Sequence, residues 1–454
     1  MHGDYSLNPL ASRDHVSRVL YQQGRVQLDS DANELTEALL RATRSVAADA
    51  FGPHGGLQDS FAVTADDSGF FLNAGHYWVD GILCVNPPGF DAWDVLARGQ
   101  DLPVRTPLDT QPWIFRPEKR DEVAERERGL YYLDVFEHHV SAAQDDSLRE
   151  SALLGADTTS RAIVVWQVKK LTADETEKWT SLQNELPTHG IYDSAYLALN
   201  VLLRSRARLS ARATLVEKTD PCVISPDARY RGADNRLFRV EVHDEERMKD
   251  GGKVLHGPTF KFSRDNGGEV YPIREISGNS VKLESLGRDQ RTALRVNDWV
   301  EVVDDEVLLM GRAHPLRQVV DVNRHAMTVL LDAEPAHDAG SKPERHPILR
   351  RWAGPPRKFQ RDKWLDLADG VQVRFSFAGN RGKGFRTGDY WLIPTRTATG
   401  DVVWPHEENG APRAVAPHGV EHHYAPLDLW EARSSLAPFR RTFVPLTMVQ
   451  PRTV

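Results

Sequence analysis

Leu237-Phe238-Arg239-Val240-Glu241-Val242-His243 is the stretch that decides the fold class. Phe238, Val240 and Val242 alternate with Arg239, Glu241 and His243, and a period of two is that of a half-buried strand. The pattern recurs downstream. Phe260 and Phe262 flank Lys261, and short apolar runs follow at 280–283, 299–303, 319–322 and 327–331, with Gly287, Asn297 and Gly311 at the turns. Several short strands so spaced predict a small closed barrel in a domain spanning 235–335. Trp299 is expected inside that barrel and Glu301 at its rim. Asn266-Gly267 predicts a type I′ hairpin, with Arg239, Glu241, Arg264 and Asp265 as a charge-paired cluster beside it.

Working upstream, runs at 61–64, 69–73, 76–80, 82–86, 130–136 and 162–168 predict a β domain over 57–172. Residues 173–234 read as a helical or irregular connector, with a helix from Asp174 to about Leu186. A helix is also predicted over 31–51. Asp31 and Glu34 have capping-box spacing, Leu35, Leu39, Ala42, Val46 and Ala50 form a helical stripe, and Gly52-Pro53 stops the run. Residues 1–30 hold too few apolar groups to close a core and read as a docking arm, which with the helix makes a segment of 1–56. Residues 336–454 form a C-terminal β region, beginning with a linker over 336–362 and ending in a Pro-rich tail. The fold class is therefore mainly β and multidomain, with small β-sandwich or barrel domains, an N-terminal arm and a helix.

Composition narrows the function. The chain has 454 residues, 40% of them hydrophobic and 27% charged, as in folded domains and unlike disordered tails. The formal net charge of −8 argues against a nucleic-acid partner. The apolar run at 196–203 falls well short of the ~20 residues of a membrane helix, so no membrane insertion is expected. Met1-His2-Gly3-Asp4-Tyr5-Ser6 lacks the basic and apolar regions of a secretory signal. A cytoplasmic protein is expected, with Cys84 and Cys222 as buried free thiols.

The motifs of nucleotide binding, serine hydrolysis, zinc proteolysis and calcium binding do not occur. No catalytic residue and no cofactor is nominated. His418, His422 and His423 have a metal-like spacing, but Pro417 and Gly419 favour a loop, and packing of these rings against Tyr424 is the alternative. Trp352, Trp364 and Trp404 lie near prolines and loops and are the candidates for exposed interaction contacts.

Longer strings resemble one bacterial family. They include Gly3-Asp4-Tyr5-Ser6, the run from His15-Val16-Ser17-Arg18 to Asp31-Ala32-Asn33-Glu34, and Leu133-Asp134-Val135-Phe136-Glu137. Asn235-Arg236-Leu237-Phe238, Phe260-Lys261-Phe262-Ser263, Gly388-Asp389-Tyr390-Trp391 and His422-His423-Tyr424-Ala425-Pro426-Leu427 complete the set. That family is uncharacterised and β-rich. Its genes tend to lie beside baseplate and sheath genes of phage-tail-like contractile injection systems. The resemblance implies a non-enzymatic structural subunit, baseplate-associated or peripheral. Its partners would be other tail or baseplate subunits, or further copies of itself. Its place would be the cytoplasm until assembly into a particle that is released or acts at the cell surface. A glycan- or cell-surface-binding module is the alternative expectation, and a carbohydrate-active enzyme the third.

Overall fold

The computed structural model describes residues 1–6, 15–86, 105–115, 127–214, 230–245, 247–248, 254–287, 289–336, 339–379, 381, 384–431 and 435–444. Cys222, the middle of the arm and the Pro-rich tail at 445–454 lie outside them. The chain is mainly β and forms two compact units, each discontinuous in sequence.

The first unit comprises Met1–Ser12, His138–Ile163 and Ser205–Val420. It contains a sandwich and a barrel. One sandwich sheet has five strands, in the order Arg357–Lys358, Thr259–Ser263, Leu237–Asp244, Tyr390–Arg396, Asp401–Val402. The other has three, in the order Ala207–Ala213, Val371–Phe377, Trp364–Asp366. Leu209, Phe238, Val240, Phe260, Val373, Phe375 and Trp391 fill the space between them. The strand Leu237–Asp244 is thus a sandwich strand and not part of a barrel at 235–335. Ala207–Ala213 is a strand too, where a connector was expected.

The barrel closes through Val270–Ser277, Ser280–Leu283, Thr328–Leu331, Arg317–Asn323, Trp299–Val303 and Ile348–Trp352. Its last strand comes from the segment expected to be a linker, and pairs Trp352 with Trp299 and Arg350 with Glu301. Val300 and Val302 point into the barrel core. Trp299 is only half-buried, and Glu301, on the same outer face of the strand, is 1% exposed, so Trp299 is not inside the barrel and Glu301 is not at an open rim. The parity was right, but a second domain covers the face taken for the rim.

The second unit comprises Arg13–Glu137, Val164–Arg204 and Glu421–Val454. Its largest core joins Phe61, Leu72, Tyr77, Leu133, Val135, Trp166 and Leu427. Helix α1 spans Asp29–Phe51 and ends at Gly52, whose φ is +82°. It starts two residues before Asp31, and Leu28 is its N-cap without a side-chain bond, so the expected capping box is not used. Asp29 and Asp31 instead lie in the first turn, where they favour the helix dipole. A capping box does form at α2, Ala173–Glu185, between Thr172 and Glu175. Helix α3, Ser194–Leu203, is capped by Asp193. Trp179 of α2 and Leu199 of α3 pack with Leu130 and Leu429. The two helices of the expected connector therefore contribute to a core. Cys84 is a buried free thiol.

Candidate functional site

Two apolar interiors set up a charged seam in the first unit. The strand Leu237–Asp244 turns Phe238, Val240 and Val242 into the sandwich core, so Arg239 and Glu241 face the other way. Ser263 and Lys261 are their cross-strand neighbours on one side, Leu392 and Tyr390 on the other. The barrel turns Val300, Val302 and Leu349 inward, which sets Glu301, Arg350 and Trp352 outside. These outer faces meet. Lys261 Nζ donates to both Glu301 carboxylate oxygens, at 2.9 and 2.7 Å, and Trp352 Nε1 donates to Glu301 Oε2 at 2.9 Å. Arg239 Nε donates to Glu241 Oε2 at 2.6 Å, and His2 Nε2 lies 2.8 Å from the same oxygen. Glu241 Oε1 is 3.3 Å from Lys261. The Arg239 guanidinium lies over the Tyr390 ring at 3.5 Å, and Lys261 over Trp352 at 4.5 Å.

The first residues of the chain close this seam. Gly3 donates its N–H to the Asn266 carbonyl at 3.3 Å, and Asn266 Nδ2 donates to the Gly3 carbonyl at 3.0 Å. Arg239 Nη1 reaches both the Met1 carbonyl and Asn266 Oδ1, each at 3.1 Å. Asn266 and Gly267 have φ of +48° and +64°, as a type I′ turn requires. The turn leads from a sandwich strand to the first barrel strand rather than around a hairpin. At Gly267 a Cβ would stand 2.8 Å from the His2 ring, so only glycine lets the arm settle there.

Burial works to raise the Glu241 pKa, but Arg239, His2 and Lys261 outweigh it and hold the carboxyl well below its usual range. Burial holds the His2 imidazole well below its ordinary value, assisted by Arg239 and Arg350. Arg350 is pushed down to about 10 by burial, only partly offset by Glu241 and Glu301.

Of the expected four-residue cluster, Arg239 and Glu241 are an ion pair. Arg264 instead donates to Asp369, and Asp265 accepts from Arg236, because alternation turns Arg264 away from the face that carries Ser263. Lys261, Glu301 and Arg350 were missed. Their signal was a charged residue in mid-strand whose flanking residues already fill a core.

The nominated histidines do not gather. His418 belongs to the first unit, where its Nδ1 accepts the Leu392 N–H at 2.9 Å. His422 and His423 belong to the second. His422 Nδ1 is 2.6 Å from Asp134 Oδ1, while Asp134 Oδ2 accepts from Lys169 at 2.6 Å. His423 Nδ1 is 2.8 Å from Asp80 Oδ2, and Tyr196 donates to Asp80 Oδ1 at 2.7 Å. Each ring thus has a separate polar partner. Among the described residues no group of three or more His, Cys, Asp or Glu is placed to hold a metal ion. The expected exposure of the tryptophans is also corrected. Trp352 is buried on Glu301. Trp404 is buried in the sandwich core with its N–H on the Arg413 carbonyl. Trp364 is half-buried under the guanidiniums of Arg212 and Arg374.

In the second unit α1 turns most of its apolar stripe to solvent. Leu39 is 57% and Val46 70% exposed, Ala42 and Ala50 are exposed, and Leu35 is half-buried. Ala38 is the residue of α1 that is buried. Leu28, Val26 and Leu20 continue the apolar exposure into the arm. By helical spacing Asp31 and Asp49 border the stripe.

A model of a family of unknown function, DUF6519, matches residues 1–195 and 195–436. The chain belongs to this family. No curated protein and no solved structure matches it. The DUF6519 match runs through the docked arm, α1 and every strand of the seam. Among the described residues no helix is long and apolar enough to cross a membrane.

Proposed function

We propose that this DUF6519 chain is a non-enzymatic assembly subunit that holds a neighbouring subunit on α1 and the arm. The observation that carries this reading is the exposed stripe of Leu28, Leu39, Ala42, Val46 and Ala50, beside the half-buried Leu35. Apolar side chains at helical spacing on one face need a surface to cover them. The aspartates bordering the stripe favour an apolar segment flanked by Lys or Arg. The particle proposed is a contractile injection system of the phage-tail kind, on the strength of the sequence resemblance. The chain would serve there as a baseplate-associated or peripheral subunit, folded in the cytoplasm before assembly.

The test is co-sedimentation with sheath and tube. Particles purified from cells that express the chain should contain it. Leu39→Glu with Val46→Glu should leave its melting temperature unchanged and remove it from the particles. Particles that lack the wild-type chain while it is expressed would refute the assignment. Undiminished incorporation of the double variant would refute the role of α1.

A further inference from the structure

The three-stranded sheet of the sandwich carries charge on its outer face that the fold does not use. Leu209, Ala211, Val373 and Phe375 belong to the core, so alternation sets Arg208, Ser210, Arg212, Gln372 and Arg374 on the opposite face. The register puts Arg374 between Ser210 and Trp364, and Gln372 between Arg212 and Asp366. The guanidiniums of Arg212 and Arg374 lie over the Trp364 ring, at 4.0 and 5.0 Å. Asp366 is the acidic residue of this face, and its Oδ1 accepts from Gln372 at 2.8 Å, while Gln372 Oε1 accepts from Arg212 Nε at 2.9 Å.

Among the described residues neither Arg212 nor Arg374 makes an ion pair, and Arg374 Nε has no hydrogen-bond partner. Burial and the Arg374 charge lower the Arg212 pKa, and Asp366 opposes them. Ser210 points the same way. It is 0% exposed, and its Oγ has no hydrogen-bond partner among the described residues. Its neighbours on this face are Arg208 and Arg212 along the strand and Arg374 across from it. Guanidiniums only donate, so they offer the Ser210 hydroxyl no acceptor for its proton.

The geometry suits an extended ligand. Arg212 and Arg374 are diagonal neighbours of an antiparallel pair, a separation of about 7–8 Å. Alternate side chains of an extended chain stand about 7 Å apart.

We propose that the face formed by Arg212, Arg374, Trp364 and Ser210 docks an extended acidic segment of a neighbouring subunit, with alternate Asp or Glu side chains on the two guanidiniums. Each guanidinium can grip a carboxylate through two parallel hydrogen bonds. The ring of Trp364 holds both forks in place, which lowers the cost of ordering them on binding. A carboxylate drawn to Arg374 also supplies the acceptor that Ser210 lacks. A nucleic acid would use the same charges and ring, but the net charge of −8 disfavours it. This surface belongs to the first unit and α1 to the second, so the proposal does not rest on the role of α1.

The probe is a fluorescein-labelled peptide of about five Glu-Thr repeats, titrated with the full chain near neutral pH and read by anisotropy. A Gln-Thr peptide of equal length and an oligodeoxythymidine are the parallel probes. Saturable binding of the Glu-Thr peptide is expected, weakening as salt is raised, with the Gln-Thr peptide bound at least tenfold more weakly. Arg212→Gln with Arg374→Gln should weaken the Glu-Thr peptide at least tenfold at an unchanged melting temperature. Should that double variant fold poorly, Ser210→Ala is the second variant. It should weaken binding about threefold without lowering the melting temperature, because the hydroxyl is unpaired in the free chain. Leu39→Glu with Val46→Glu should bind the peptide as the wild type does, which separates this surface from α1. Absence of saturable binding, or undiminished binding by the arginine variant, would overturn the proposal. Tighter binding of the oligodeoxythymidine than of the Glu-Thr peptide would assign the face to nucleic acid and overturn the acidic segment.

Discussion

Removing one negative charge from the seam should cost more than any other single polar change in the first unit. The perturbation is Glu301→Gln, which keeps the shape and two polar atoms but deletes the charge. Glu301 receives Lys261 at 2.7 and 2.9 Å and the Trp352 indole N–H at 2.9 Å. At about 2.8 Å and an effective dielectric constant of about 20, the Lys261 attraction alone is roughly 6 kcal/mol. The desolvation that Glu301 no longer suffers offsets part of this. Lys261 also retains Glu241 at 3.3 Å. Against that, the cations then outnumber the carboxylates by three to one. The net expectation is a loss of about 3–5 kcal/mol, as for other buried pairs broken from one side. Chemical denaturation followed by tryptophan fluorescence reads it, because Trp352 sits on the deleted carboxylate. Arg350→Met is the matched control. It removes the surplus cation and should change stability by less than about 1 kcal/mol, or raise it. Equal losses from both variants would refute the reading that the seam is cation-rich. A Glu301→Gln variant within about 1 kcal/mol of wild type would refute the reading that it is dry.

Asp389 gives a pH test. Burial pushes its carboxyl up to about 6, although Ser205 donates to it at 2.6 Å. The folded state therefore binds this proton more tightly than the unfolded state, so the contribution is full below about pH 4 and is lost as pH rises through 6. Asp389→Asn should gain roughly 2–3 kcal/mol on wild type between pH 4 and pH 7.5 in paired thermal melts, and a constant difference would refute the assignment. Val302→Ala, in the barrel core, should cost about 2 kcal/mol. Trp299→Ala should cost less than the roughly 3–5 kcal/mol of a core tryptophan, and urea midpoints of the two variants decide which strand face is inside. Gly267→Ala should cost about 1–2 kcal/mol through its positive φ and expel His2, read as faster proteolysis within the first residues. An arm equally protected in that variant would count against the packing of His2 on Gly267.

Much of the local structure was legible because it depends on period alone. Alternation at 237–243 gave both the strand and the opposition of Phe238, Val240 and Val242 to Arg239 and Glu241. The stripe at Leu35, Leu39, Ala42 and Val46 gave α1, and Gly52-Pro53 gave its end. Such patterns show that an element has two faces, but not what lies against each. Glu301 has the alternation of a rim residue, and only the approach of Lys261 from the sandwich makes it a buried ion-pair partner. Trp352 reads as exposed because prolines and loop residues lie near it, yet its indole N–H donates to Glu301, 51 positions away, and the ring is buried. Conversely, the α1 stripe has the period of a packed helix face, yet most of it is exposed. Hydrophobic period is written in a dozen consecutive residues. The placement of a charge beside its counter-charge depends on the meeting of two domains, and that is decided by the chain as a whole.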